Sequence, residues 1–375
     1  MRVLLVNENI GGHATVHANL RRELQGHPEC EAEFVDLPAP GLLRRIAGAS
    51  LPLLSHHDLD LQPLRAQLAH SLIGRRAVQS RVGSFDVVGV YTHNAALLSS
   101  GVMRRHPSVV SLDTTNARNA FRIPQRRPTV WTERLLPLTK LFEQRVYDSS
   151  TLIACHSEWA ADSLRSDYGV PPGKIRVVRF GVPLPPPSPP RIEKRVPTLI
   201  FVGRQMERKG GWRLLDLYRR ELRDRARVVF VTEEPVLPEA GVTIVNDVRP
   251  GDGRLGALLA DADIFVFPSE VDQAPNAVIE AMAAGLPVIA FDSGAVGEMV
   301  GHDVGGLVVP VDNGALAEAV RRLIGEPATR RRLGAGARAR AEEYFDVRRT
   351  TADFVAVLKE ATEIWQPPGR RSCSV

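Results

Sequence analysis

The sequence predicts an α/β protein made of two Rossmann-like, doubly wound parallel-sheet lobes that face a cleft. Three observations predict it. Short apolar runs alternate with helical patterns along nearly the whole chain, which is the signature of βαβ units. A proline-rich break, VPLPPPSPP at residues 182–190, divides that alternation into two series, because such a run continues neither helix nor sheet. The length of 375 residues exceeds what a single hydrophobic core usually fills.

The elements follow in order. Residues 3–6 form a first strand, Gly11 and Gly12 a turn, and residues 14–24 a helix. Glycine there lets backbone approach a ligand, although the spacing is not G-x-G-x-x-G. Residues 41–82 read as Leu-rich helices, broken around 55–60. Strands are expected at 86–90, 108–112, 151–154 and 175–179, and helices at 129–146 and 159–168. After the break, strands are expected at 198–202, 227–231, 242–245, 264–267, 288–291 and 306–309. Residues 314–325, 328–344 and 346–365 read as helices. The domain reading is 1–185 for the first lobe, 186–196 for a linker, 197–345 for the second lobe, 346–365 for a last helix and 366–375 for a tail.

Composition narrows the function. Hydrophobic residues at 44% and charged residues at 24% are ordinary for a globular chain. Cys30, Cys155 and Cys373 are too few and too widely spaced for a disulfide framework or a metal cluster. A reducing, cytoplasmic setting is therefore expected. The opening MRVLLVNEN reads as a strand and not as a signal peptide, and no 18-residue apolar run predicts a membrane span. Charge is uneven. Residues 1–185 carry 22 Lys+Arg against 16 Asp+Glu, a balance of +6, and residues 186–375 carry 26 against 27, a balance of −1. Arg104, Arg105, His106, Arg118, Arg122, Arg126 and Arg127 contribute much of the excess. It suits either a solvated surface or peripheral contact with an anionic membrane at its inner face. Aromatic residues at 6% and the lack of a stacking motif argue against a nucleic-acid partner. No G-x-x-x-x-G-K-[ST], G-x-S-x-G or H-E-x-x-H occurs.

Two stretches carry chemistry. In DIFVFPSEVDQAPNAVIEAMAAGLPVIA (263–290), two acids interrupt an apolar strand–loop–helix–strand unit. Asp272 lies in the loop and Glu280 in the helix, which starts at Pro275 and Asn276. An acid in such a helix is costly to bury unless it has a partner, and a ribose diol is one. A solvated loop Asp and a dipole-favoured Glu explain the same spacing. In TLIFVGRQMERKGG (198–211), Arg204 and Lys209 follow a strand that ends at Gly203. Two cations near helix amides suit a diphosphate, or they are exposed turn residues.

The first stretch resembles the signature of the family 4 retaining glycosyltransferases, PSxxEGFPNxxxEAMAxGxPVI. Pro268, Ser269, Pro275, Asn276, Glu280, Ala281, Met282, Ala283, Gly285, Pro287, Val288 and Ile289 match it. Asp272 stands where that family usually has Glu, and Gln273 and Ala274 replace its Gly and aromatic residue. The second stretch resembles the family's VGRxxxxKG, and residues 156–182 and 293–300 resemble two more of its segments.

The resemblance implies a GT-B fold, with an acceptor-side first lobe, a nucleotide-sugar lobe second, and a last helix returning to lobe one. It implies transfer of a hexosyl unit from a nucleotide diphosphate sugar to a glycan, lipid or small-molecule acceptor, with retention and without a metal or other cofactor. By that match Arg204, Lys209 and Asp272 are catalytic. Gly11, Gly12, Gly203, Pro275, Asn276, Ala277 and Glu280 join them in holding the donor. Asp113 lies about where relatives place a His, and it is either an acid/base, a ligand of an acceptor hydroxyl, or a turn cap. The D-x-D strings Asp58–Asp60 and Asp261–Asp263 would otherwise suggest a metal site, and the second leads into a strand. A non-catalytic nucleotide-sugar binder, and an epimerase or hydrolase of the same fold, are the rival readings.

Overall fold

The computed structural model describes residues 1–8, 12–38, 42–49, 51–55, 59, 61–119, 130–186, 195–249 and 253–367. It divides into two compact units, Met1–Arg179 with Arg348–Val375, and Phe180–Val347.

In the first unit, β1 (Arg2–Glu8), β2 (Glu31–Leu37), β3 (Val87–Tyr91), β4 (Ser108–Leu112), β5 (Leu152–Cys155) and β6 (Ile175–Val177) form one parallel sheet. Its order is β2-β1-β3-β4-β5-β6. Val- and Leu-rich central strands are what a sheet buried on both faces requires. Leu4, Val6, Val88, Val90, Val110 and Leu112 point to one core. Their neighbours Val3, Leu5, Val87, Val109 and Leu152 point to the other. The final helix, Val347–Ile364, covers that second face with Phe354, Val355, Leu358 and Ala361. It is tied down by Arg176 Nε to Glu360 at 2.9 Å and by Lys359 to Glu29. The expected return of this helix to the first lobe is thus observed.

The sequence reading had no strand between residues 24 and 41, yet β2 lies there. It is an edge strand with Glu31, Glu33 and Asp36 turned toward water, so it lacks the continuous apolar run of the central strands.

In the second unit, β7 (Thr198–Val202), β8 (Arg227–Val231), β9 (Val242–Val245), β10 (Ile264–Phe267), β11 (Val288–Phe291) and β12 (Gly306–Val309) form a parallel sheet. All six coincide with the expected spans. The order is β12-β11-β10-β7-β8-β9, so the winding reverses between β7 and β10. Leu199, Phe201, Phe230, Ile264, Ile289 and Phe291 pack one face under Leu214, Tyr218, Leu316 and Leu323. No described helix is long and apolar enough to cross a membrane.

Candidate active site

Ligands of doubly wound sheets bind outside the carboxyl ends of the strands where the winding reverses. In the second unit those ends are Val202 and Phe267, and the two chemistry-bearing loops follow them. After β7 the chain passes Gly203 and enters a short helix, Met206–Lys209. A Cβ on Gly203 would sit 2.9 Å from Lys209 Cβ, so glycine there makes room for the lysine stem. Gly210 then turns the chain at φ 78°, and a Cβ on it would lie 2.0 Å from the Pro268 carbonyl oxygen. Only glycine lets these loops meet.

They meet through Lys209 and Asp272, positions 63 residues apart in sequence. Lys209 Nζ donates to Asp272 Oδ1. The side chains are 16% and 8% exposed, so the ion pair is largely desolvated. Ser269 Oγ donates to the other oxygen, Oδ2, at 2.6 Å. Arg208 Nη1 stands 3.9 Å from Oδ1 as a second cation. Lys209 also lies 5.5 Å over the Phe267 ring. Burial pushes its ammonium below the usual lysine range. The Asp272 charge opposes this, and Arg208 adds to it. Behind Asp272, Ser293 Oγ donates to the Glu270 carbonyl at 2.7 Å.

Glu280 sits in the helix Asn276–Ala283, which Pro275 precedes in extended conformation. Among the described residues its carboxylate has no hydrogen bond or ion pair. Desolvation alone raises its pKa to about 7. Ala277 lies in the first turn of the same helix.

Arg204 lies in the turn after β7, just beyond Gly203. It is 70% exposed, and its Nε lies 3.0 Å from Glu233 Oε1, so its ion pair is with Glu233 and not with Asp272. Its solvated side chain falls outside the desolvated pair, and Arg208 is the second cation there. Arg208, Ser269 and Ser293 were not singled out for chemistry. The available signal was Ser269, three residues before Asp272 on the turn that follows a strand. The Asp261–Asp263 string is structural: Asp263 Oδ2 accepts from the Thr198 amide at 2.8 Å, at the amino ends of β7 and β10. Asp58 and Asp60 lie outside the described residues.

In the first unit, Gly12 precedes the helix His13–Leu24 with φ −65°, an ordinary helical value. Gly11 lies outside the described residues, as do Arg122, Arg126 and Arg127. Asp113 follows β4, and His13 Nε2 lies 3.4 Å from its Oδ2. Arg104 and Arg105 are exposed.

Two parallel sheets, each reversing its winding once, define a two-unit, doubly wound α/β protein. The chain belongs to the family 4 glycosyltransferases: the model described as Glycosyltransferase Family 4 matches residues 10–184 and that described as Glycosyl transferases group 1 matches residues 196–326. It is 29% identical over 317 residues to the MMP alpha-(1->4)-mannosyltransferase of Mycolicibacterium hassiacum, covering 78% of this chain and 74% of the relative. It is 30% identical over 285 residues to the phosphatidyl-myo-inositol mannosyltransferase of Mycobacterium leprae, covering 70% and 72%. Among solved structures, sucrose-phosphate synthase from Thermosynechococcus elongatus superposes with a TM-score of 0.73 at 16% identity, over 96% of this chain and 98% of that one. Anabaena HepE in complex with UDP does so at 0.69 and 17%, over 96% and 100%. These structures show the fold, GT-B.

Proposed function

We propose that the chain is a retaining, metal-independent glycosyltransferase that moves a hexosyl unit, mannosyl or glucosyl, from a nucleotide diphosphate sugar to a hydroxyl of a glycan, lipid or small molecule. The observation that carries it is the desolvated Lys209–Asp272 pair at the winding reversal of the second unit, with Glu280, on the following helix, lacking a partner among the described residues. Mannosyl and glucosyl donors are suggested by the relatives' names, among them a GDP-mannose-dependent alpha-mannosyltransferase of Mycolicibacterium smegmatis. They are suggested also by HepE in complex with UDP-glucose.

In this reading Glu280 accepts from the ribose diol and Asp272 from donor-sugar hydroxyls. Gly203, Pro275, Asn276 and Ala277 let backbone approach the donor. Lys209, helped by Arg204 and Arg208, takes the diphosphate. Asp272 holds Lys209 until the donor supplies its own anion. Departure of the diphosphate leaves an oxocarbenium-like sugar, and preorganised cations at the β-phosphate lower that barrier. Each is worth about 10²–10³ in rate, by analogy with oxyanion sites. The acceptor hydroxyl attacks from the face the diphosphate leaves and gives its proton to the departing phosphate oxygen, so configuration is kept. Asp113 binds the acceptor hydroxyl. The cations act in place of a divalent ion.

The test is cleavage of GDP-mannose and UDP-glucose by the purified chain in EDTA, with the product anomer read by NMR. An α-product formed in EDTA supports the reading. Loss of activity in EDTA restored by Mn²⁺ overturns metal independence, and an inverted anomer overturns retention. Tight nucleotide diphosphate binding with no cleavage of any nucleotide sugar leaves the non-catalytic binder.

Peripheral contact with an anionic membrane belongs to the same proposal. It is supported by exposed Arg104 and Arg105 and by the exposed Leu42, Ile46 and Leu53. Equal sedimentation with acidic and neutral vesicles would refute it.

A further inference from the structure

The first unit reverses its winding between β1 and β3, so a second ligand crevice is expected outside their carboxyl ends. Three segments bring side chains there. His13 opens the helix after β1, Tyr91 ends β3, and Asp113 follows β4. The His13–Asp113 pair keeps 24% and 18% side-chain exposure, so solvent or a ligand reaches it.

Three imidazoles surround the Tyr91 ring. His13 and His17, four residues apart on one helix face, stand edge-on at 4.8 and 4.7 Å, and His156 is tilted at 5.5 Å. Their charges differ. Burial drives His17 down to about 3 and His156 down to about 4, so both are neutral near pH 7. Burial also opposes a charge on His13, but its hydrogen bond to Asp113, the Asp113 charge and Glu8 raise it above the ordinary histidine value. Asp113 is held below the usual carboxylate range against its own burial, chiefly by His13. Tyr91 is pushed far up by burial and stays neutral. His13 is therefore the one imidazole of the three whose charged form its surroundings favour.

We propose that His13 is a positioning residue for Asp113: it engages Oδ2, fixes the carboxylate, and leaves Oδ1 to accept from a hydroxyl of a sugar or polyol acceptor. This rests on the glycosyltransferase reading above, and it names the group that orients the acceptor-side acid.

Two measurements test it. Imidazole NMR should show His13 titrating above 6.5 in the wild type and no longer so in Asp113→Asn. Cleavage of UDP-glucose and GDP-mannose should be followed against pH, with water, methyl α-mannoside or myo-inositol as acceptor. His13→Ala should slow it about 10–100-fold, the range for a hydrogen bond to a charged group. Nucleotide diphosphate Kd should stay within twofold. The wild-type rate should fall as pH rises through the His13 pKa, because the charged form is the one that fixes Asp113. His13→Gln keeps a donor without the charge, so its rate should be intermediate and flat across that window. A His13 that titrates at or below 6.5, a wild-type pH profile in His13→Gln, or parallel loss of rate, nucleotide affinity and Tm would overturn the inference. A wild-type chain that cleaves no donor overturns the transferase reading instead, and the NMR titration still reports on the pair.

Discussion

The two units are built alike and hold charge in opposite ways. Each is a six-stranded parallel sheet that reverses its winding once, and each places ionisable side chains at the carboxyl ends of the strands beside the reversal. In the second unit the charges are Lys209 and Asp272, whose ion pair closes two loops against each other, while Glu280 has no counter-charge among the described residues. In the first unit the buried charge is dispersed among hydrogen-bonded groups. Glu143, fully buried, accepts from the Asn116 amide at 2.9 Å and from the hydroxyls of Tyr147 and Tyr168. Glu8 accepts from Thr92 at 2.6 Å, and His13 meets Asp113. Networks satisfied from within rigidify a site, whereas a desolvated charge with no partner is waiting for one. On the proposed reading, the second unit is the side whose charges would change partners when a nucleotide binds.

The largest test of this difference is at Lys209. Removing it strands Asp272, a buried carboxylate. Lys209→Met should therefore cost about 3–5 kcal/mol of stability, the range for breaking a buried pair. It should also cost about 10²–10³ in transfer rate. Lys209→Met with Asp272→Asn removes both charges, so chemical denaturation should show much of the stability returning while transfer stays absent. A double variant that transfers at the wild-type rate would remove both residues from the reaction. The corresponding change in the first unit, Tyr168→Phe, leaves Glu143 with its other donors. By the same comparison it should cost no more than about 1–3 kcal/mol.

How legible each unit was in sequence follows from the same physics. All six strands of the second unit could be read, because each is a largely apolar run and most are bounded by glycine, proline or an acid. The loops after β7 and β10 could be read because a lysine and an aspartate interrupt those runs. Their meeting could not be read. It depends on Gly210 and on the order β10-β7, which brings together segments 63 residues apart. Arg204 illustrates the limit. Its position after a strand was clear, but an exposed pairing with Glu233 leaves no mark in the sequence. In the first unit β2 was missed because its outward residues are acidic. His13 was legible only as a residue beside Gly12, since its partner follows a strand 100 positions on in the chain.

Glu280 sharpens the comparison next, and its sign can be worked out. Burial without a partner raises its folded-state pKa to about 7, against an ordinary value of 4.5. Between those values the folded state binds more protons than the unfolded chain, so stability falls as pH rises through the window. Glu280→Gln should therefore be the more stable protein at pH 8, on the order of 1–3 kcal/mol, and match the wild type at pH 4. Nucleotide binding should run the other way. A diol that donates to the carboxylate favours its ionised form, so UDP or GDP should bind the wild type more tightly at pH 8 than at pH 6 and release a proton. The variant should lose about 1.5–3 kcal/mol of that binding. Calorimetry in two buffers of different ionisation enthalpy reads the proton directly. Equal stability of both proteins at pH 8, with no proton release, would mean that Glu280 is solvated and does not face the ribose.

The smallest effect concerns the surfaces. The first part of the chain carries the net positive charge, +6 against −1, and the structure adds an apolar feature that charge counting did not reveal. Leu42, Ile46 and Leu53 are 74%, 64% and 87% exposed, and no acid lies between Asp36 and Asp58, where Arg44 and Arg45 stand. Leu42 and Ile46 are four residues apart on the helix Leu42–Ala47 and so share a face. An apolar face beside an exposed cation, Arg45, suits the interface of an anionic bilayer, where each cation is worth about 1 kcal/mol. Arg45→Gln should thus weaken sedimentation with acidic vesicles about fivefold, and raising salt should remove most of the remainder. Leu53→Ser should weaken it at every salt concentration, because the apolar contribution is not screened. The analogous exposed cation of the second unit, Arg204→Gln, should leave vesicle binding unchanged. If Arg204→Gln and Arg45→Gln lower it equally, attraction to lipid is a property of net charge alone, and the two units do not differ in this respect.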